Sequence, residues 1–80
     1  MEHTIEPGIY RHYKGKDYKV LGVALHSETR EPMVVYLELY EPYDLNVRPA
    51  AMFSEEVDKP EYNYQGPRFT LVRKTNGLGC

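Results

Sequence analysis

The chain has 80 residues, a formal net charge of −2 and a hydrophobic fraction of 41%, which predicts one globular domain and argues against a disordered chain. Its apolar runs fall far short of the ~20 residues that a membrane-spanning helix needs. The N-terminus has neither the basic nor the apolar region of a secretory signal, and the only cysteine is Cys80, so we expect a cytoplasmic protein that has no internal disulfide.

The ends of the chain are expected to lie outside the folded part. Residues 1–6 are predicted to form an N-terminal tail, residues 7–73 a single β-barrel domain, and residues 74–80 a flexible C-terminal tail. A domain this short has a thin core. The eight tyrosines and two phenylalanines suit such a core, because each ring buries roughly 150–250 Å².

The first half of the chain predicts a bent hairpin. Ile9 to Tyr13 and Tyr18 to His26 have the β-branched and aromatic composition of strands, and a short polar loop at 14–17 joins them. Gly22 lies inside the second strand, where a glycine marks a bend or a bulge. The segment from His26 to Pro32 is polar and predicts a loop.

The clearest strand runs from Met33 to Tyr40. On one face, which we expect to point into the core, lie Val35, Leu37 and Leu39. The opposite face is expected to point outward or into a groove, because an unpaired glutamate is costly to bury; it carries Val34, Tyr36, Glu38 and Tyr40.

The second half of the chain predicts shorter elements. Leu45 to Arg48 is a short strand, and Pro49 suits the first position of one helical turn within residues 50–57. Residues 58–67 contain Pro60, Gly66 and Pro67 and predict a loop, and residues 68–73 predict a last strand. These elements predict a mainly β fold, a small antiparallel SH3-like barrel or roll of about five strands with one short helical turn; an OB-like barrel is the alternative.

The order of the residues also resembles a known family. The succession comprises Gly8, Tyr10, His12 to Gly15, Tyr18, Val20-Leu21, Ala24, His26 to Thr29, Glu31, Val34 to Tyr36, Leu39-Tyr40, Val47 to Pro49 and Met52-Phe53. It resembles the bacterial family called domain of unknown function 1653, over roughly Gly8 to Phe69. The resemblance implies a small SH3-type barrel, and it implies no activity, substrate or cofactor.

The sequence offers little for catalysis or for a metal. The three histidines and the single cysteine do not form any spacing that is typical of a metal site, and no cofactor is expected. His26 and Glu28 are weak candidates for an acid and a base. Ser27 and Thr29, which lie beside them, are more typical of residues that bond the backbone of a turn.

A non-enzymatic binding module for a peptide or a small anionic ligand is the function that we expect first. An arginine can clamp a carboxylate or phosphate while aromatic rings stack on the rest of the ligand. The expected groove is lined by Tyr10, His12, His26, Ser27, Glu28, Thr29, Tyr36 and Arg48.

Nucleic-acid binding is one alternative, through the basic hairpin residues Arg11, Lys14, Lys16 and Lys19. The sequence pI of about 5.9 argues against that alternative. A small acid–base enzyme that uses His26 and Glu28 is the other alternative. We expect no membrane partner, and a monomer or a weak homodimer.

Overall fold

A computed structural model describes residues 5–75 as a chain that is mainly antiparallel β-structure. The strands are β1 (Gly8–His12), β2 (Asp17–Leu25), β3 (Pro32–Glu38), β4 (Leu45–Pro49), β5 (Glu56–Lys59), β6 (Tyr64–Pro67) and β7 (Phe69–Lys74). One short helix, α1 (Ala50–Phe53), follows β4, and a 3-10 turn (Pro60–Tyr62) joins β5 to β6. The prediction of a mainly β fold with one short helix is confirmed.

The main sheet has five strands in the order β4-β3-β2-β1-β7, and β5 pairs with β6 in a second, two-stranded sheet. Within residues 5–75, β4 and β7 do not pair with each other, so the main sheet has two edge strands rather than a closed ladder. The more specific SH3-type assignment stays a prediction.

The segment at 56–67 differs from its prediction. The helix ends at Phe53 instead of continuing to Val57, and Val57 lies in β5 opposite Gly66 of β6. The two prolines that favoured a loop lie where they disrupt few hydrogen bonds between strands. Pro60 begins the 3-10 turn, and Pro67 is the last residue of β6. Asn63 has a φ of 50°, and this left-handed residue reverses the chain between the two strands.

The bulge that Gly22 predicts is present. Val20 lies opposite Tyr36 and Gly22 lies opposite Val35, so Leu21 is the extra residue of β2. Gly22 has a φ of 158°, a conformation that other residues rarely adopt. The bulge bends the sheet at its centre, as bulges commonly do.

The prediction for the faces of β3 was wrong. Val34 and Tyr36 are buried, with exposed fractions of 0% and 6%, whereas Leu39 is 40% exposed. Both faces of this strand carry apolar residues, so alternation alone does not decide which of them is covered. The covered face is the one with the tyrosines, because their rings fill more of a thin core than leucine does.

Aromatic rings make up much of the core. Its buried members are Tyr10, Val20, Val34, Tyr36, Ala50, Phe53 and Phe69. Phe53 of α1 stacks on Phe69 of β7, with centroids 4.2 Å apart and planes 4° from parallel, so this pair joins the helix to the sheet. Ile5 also packs against the core. Lys74, the first residue of the predicted C-terminal tail, is the last residue of β7, and its ammonium pairs with Glu6 of the predicted N-terminal tail at 3.3 Å. Residues 1–4 and 76–80 lie outside the described residues.

Candidate functional site

Two tyrosines of the predicted groove lie in the core instead. Tyr10 is 8% exposed, and Tyr36 is 6% exposed. The Tyr10 hydroxyl donates a hydrogen bond to the carbonyl of Glu6 at 2.7 Å, and the ring packs edge-on against Phe53 at 5.3 Å. The prediction that these two rings form an outward-facing part of the groove is therefore wrong, because they pack in the thin core.

Arg48 is a charged residue that contacts this aromatic core. It is paired with Val34 in the register between β3 and β4, so it shares the covered face of the sheet. Its Nε donates to the Tyr36 hydroxyl at 3.3 Å, and its guanidinium lies 5.8 Å from the centre of the Phe69 ring. Within residues 5–75 it forms no ion pair with a carboxylate.

His12 also contacts Phe69. Its ring contacts that of Phe69 edge-on at 5.0 Å, and its Nδ1 accepts the backbone N–H of Lys14 at 3.1 Å. Burial, and after it the positive charges of Arg68, Lys14 and Arg48, hold the pKa of His12 below its usual value. His12 and Arg48 therefore contact the same phenylalanine ring and are electrostatic neighbours.

A polar aromatic rim extends this face toward the 14–17 loop. The hydroxyl oxygens of Tyr18 and Tyr40 are 2.6 Å apart, and the Lys16 ammonium lies 4.7 Å from the Tyr40 ring centre. Burial, then the hydrogen bond with Tyr40, raises the pKa of Tyr18. This rim gives the face further hydrogen-bonding groups and a second cation.

The glutamate at the C-terminal end of β3 already has hydrogen-bond partners. Glu38 accepts hydrogen bonds from the backbone N–H of Asp44 at 3.2 Å and from Asn46 Nδ2 at 3.1 Å. It therefore holds the β3–β4 turn and the neighbouring side chain of β4, and within residues 5–75 it forms no ion pair with Arg48.

The loop that carries His26 is a tight turn between β2 and β3. The His26 Nδ1 accepts backbone N–H groups of Glu28 at 3.1 Å and Thr29 at 3.3 Å, and Thr29 Oγ1 accepts that of Glu31 at 3.2 Å. His26, Ser27, Glu28 and Thr29 are all exposed. No hydrogen bond or ring contact in the described chain joins this loop to Arg48. The catalytic roles of His26 and Glu28 and the binding roles of all four residues therefore stay predictions.

The basic hairpin does not present its four cations as one group. Arg11 forms an ion pair with Asp17 at 2.8 Å, while Lys14 and Lys16 lie over the rings of Tyr62 and Tyr40. Lys19 is half-buried opposite Ile9 on the outer face of the sheet. Nucleic-acid binding through these residues stays a prediction.

A shallow cavity of about 270 Å³ opens beside the hairpin. It is lined by Arg11, His12, Tyr13, Gly15, Tyr64, Thr70 and Val72. Tyr13 stacks on Tyr64 at 5.6 Å and meets Tyr62 edge-on at 5.5 Å. The sequence did not single out these rings, because they come together only through the unpredicted β5–β6 sheet.

Several residues around Arg48 were also missed as site residues. Phe69, Tyr18 and Arg68 were expected only as parts of strands. The register could have indicated Phe69, since it pairs with His12, but that register follows from the fold rather than from local pattern. Elsewhere in residues 5–75, no three His, Cys, Asp or Glu side chains are grouped to hold a metal ion, and no helix is long and apolar enough to cross a membrane.

Comparisons with known proteins identify relatives but no activity. The family model described as "Protein of unknown function (DUF1653)" matches residues 8–71. A crystal structure of a DUF1653 protein from Bordetella bronchiseptica is 38% identical, with a TM-score of 0.79, over 90% of this chain and 92% of that chain. No curated protein matches the chain.

Proposed function

Starting from the chain's membership of the DUF1653 family of proteins of unknown function, we propose that this domain is a binding module for an anionic group, which it binds at Arg48. The expected ligand is a carboxylate or phosphate that is carried by a peptide or a small molecule. Arg48, His12 and Tyr36 of the predicted groove remain part of this site. The buried rings of Tyr36 and Tyr10 form the packed wall of the site.

The observation that supports the proposal is the unpaired charge of Arg48. Arg48 is half-buried as a residue, and its guanidinium contacts the Tyr36 hydroxyl and the Phe69 ring, where water solvates it less well than at an open surface. A planar guanidinium has five donors, and within residues 5–75 only Nε of Arg48 has a hydrogen-bond partner. The remaining donors are available to an oxyanion.

The surroundings of Arg48 favour a negative ligand. Arg68 and Lys14 add positive charge, as their effect on His12 indicates. Arg68 pairs with Glu55 at 3.0 Å, and Glu38 is held by the β3–β4 turn. A carboxylate that forms two parallel hydrogen bonds with Arg48 would replace water at a site where charge-assisted bonds are strong.

A titration with defined anions tests the proposal. Acetate, N-acetylglutamate and inorganic phosphate are added separately to the labelled protein, and the side-chain Nε–H signal of Arg48 is followed by NMR. We expect a saturable shift at Arg48 with little change at Arg73, an exposed arginine of β7. Shifts that are linear in concentration and equal at the two arginines would contradict the proposal.

Matched variants distinguish binding at Arg48 from a nonspecific effect of the protein's positive charge. Arg48→Gln should abolish the saturable response, and Tyr36→Phe should weaken it a few-fold, because the phenol that orients Nε is removed while the ring is kept. Arg73→Gln removes the same charge at the opposite edge of the sheet and should leave binding unchanged. An Arg48→Gln protein that is folded and binds like the wild type would reject Arg48 as the site.

A further inference from the structure

The exposed edge of β4 indicates which class of ligand the proposed site binds. We propose that the ligand is an extended peptide that adds to β4 as an antiparallel sixth strand and places an acidic side chain against Arg48. The inference rests on the proposed function for its charge contact. It adds the chemistry of the partner, which is a peptide of alternating acidic or polar and apolar residues.

The backbone of β4 is available on one side. β4 is an edge strand that pairs with β3 over Leu45 to Pro49, and no other strand of the described chain pairs with its second side. Edge strands present a row of unpaired N–H and C=O groups, and peptides are commonly bound by adding a strand to such a row. Pro49 closes the row at one end, because it has no N–H.

The two edges of the main sheet differ in charge. β7 ends in Arg73 and Lys74, and the Lys74 ammonium lies 3.3 Å from a Glu6 carboxylate oxygen. Charged residues of this kind discourage strand addition. Along β4, the one charged side chain is Arg48, which leaves this edge both less protected and selective for a negative partner.

The register of β4 gives its two faces different chemistry. Asn46 and Arg48 pair with Tyr36 and Val34, whose side chains point into the core. On the outer face, Leu45 and Val47 pair with Leu37 and Val35 and are 61% and 59% exposed. A sixth strand would place its own alternate side chains beside these two rows.

The charges along the covered face of β4, which carries Asn46 and Arg48, determine where the acidic side chain of the peptide lies. Arg48 lacks a carboxylate partner in the described chain, whereas Asn46 Nδ2 already donates to Glu38 at 3.1 Å. An acid opposite Arg48 would gain an ion pair, and an acid opposite Asn46 would face the charge of Glu38. Charge complementarity therefore favours Glu opposite Arg48 and a neutral residue opposite Asn46.

A short peptide with this pattern is the probe. Acetyl-Ser-Glu-Val-Thr-Val-Ser-amide aligns its Glu, Val, Thr and Val with Arg48, Val47, Asn46 and Leu45, in that order. We expect shifts in the amide signals of β4, and new protection from hydrogen exchange at the alternate β4 amides that are not bonded to β3. Replacing the peptide's Glu by Gln should weaken binding about tenfold.

Two N-methylated peptides test the strand geometry. Successive N–H groups of a strand point to opposite sides, so methylation at one of two adjacent residues should abolish binding, while methylation at the other should be tolerated. The peptide in which Glu and Thr exchange places has the same composition and should bind several-fold more weakly. Equal binding by both N-methylated peptides would overturn strand addition.

The outcomes distinguish this inference from the proposed function. If acetate and N-acetylglutamate shift Arg48 but the peptide's backbone pattern has no effect, the anion site stands and strand addition fails. If neither anions nor the peptide act at Arg48, both fail. A concentration-dependent dimer that occupies β4 without peptide, measured by analytical ultracentrifugation, would assign this edge to a second copy and also overturn the inference.

Discussion

The hydroxyl oxygens of Tyr18 and Tyr40 lie 2.6 Å apart, and the rings cross at 78° with centroids separated by 5.4 Å. Tyr18 also meets the rings of Tyr36 and Phe69 edge-on. It therefore links the buried rings to the polar rim that Tyr40 and Lys16 form. The phenols serve the packing and the polar surface at the same time, which suits a core this thin.

Removing the Tyr18 hydroxyl should destabilise the fold modestly. Tyr18→Phe keeps the ring contacts and deletes one hydrogen bond, so we expect a loss of about 1 kcal/mol in the free energy of unfolding. Urea unfolding at neutral pH measures it. Tyr43→Phe is the matched control, because Tyr43 is 58% exposed; a loss as large in this control would contradict the specific role of the Tyr18–Tyr40 bond.

Alkaline pH should weaken the fold through the same residue. The pKa of Tyr18 is raised by burial and then by Tyr40, and that of Tyr10 is raised by burial and then by Glu6. Both phenols therefore hold their protons more tightly when folded, so stability that is full below pH ~10 falls as the pH rises above that value. Urea unfolding between pH 8 and pH 11 should show this fall, and Tyr18→Phe should flatten it.

The sequence predicted the fold correctly at positions where a residue type favours one local structure. Gly22 predicted the bulge because a strand glycine gives up packing for conformational freedom, and the 14–17 loop predicted the first hairpin. The faces of β3 could not be read in this way. Val34 and Val35 are equally suited to burial, and only the rings that arrive from other elements decide between them.

The candidate site was predicted in part for the same reason. Arg48 stood out as an arginine beside aromatic residues, but the sequence could not show that Phe69 would lie under it or that Glu38 would be satisfied elsewhere. The β5–β6 sheet was missed because its prolines and Gly66 have the composition of a loop. Their positions at the ends of short strands depend on tertiary pairing rather than on local pattern.

The stacked pair of Phe53 and Phe69 should be a centre of stability. Phe53→Leu keeps an apolar side chain but loses the ring contacts with Phe69 and Tyr10, so we expect a loss of roughly 1–3 kcal/mol. Thermal unfolding measures this loss. Met52→Leu is the control on the same helix, since Met52 is 48% exposed, and equal effects of the two variants would contradict the assignment.

Gly8 should not tolerate a methyl group. A Cβ at this position would lie 2.5 Å from the carbonyl oxygen of Arg73 and 2.7 Å from Leu71 Cδ1, so β1 and β7 would have to separate. We expect Gly8→Ala to cost roughly 1–3 kcal/mol, measured by urea unfolding. Thr70→Ala, at an exposed site of β7, should change stability much less; a Gly8→Ala protein as stable as wild type would show that the two strands separate at no cost.

His12 should report on the charge of Arg48. Burial, then Arg68, Lys14 and Arg48, lower the pKa of His12, so removing the Arg48 charge should raise it. We expect Arg48→Gln to move the NMR titration of the His12 ring to higher pH, while Arg73→Gln leaves it unchanged. An anion bound at Arg48 should move the titration in the same direction, because it offsets the same charge.

The same pKa shift gives the fold a dependence on acidic pH. A histidine whose folded pKa is lowered contributes stability that is present above its unfolded pKa of ~6.5 and is lost as the pH falls through the folded value. Acidification from pH 7 should therefore destabilise the wild type more than His12→Gln, measured by urea unfolding at matched salt. If the anion site is correct, acetate should protect the wild type in this range and should fail to protect Arg48→Gln, since bound anion makes the charged His12 less costly.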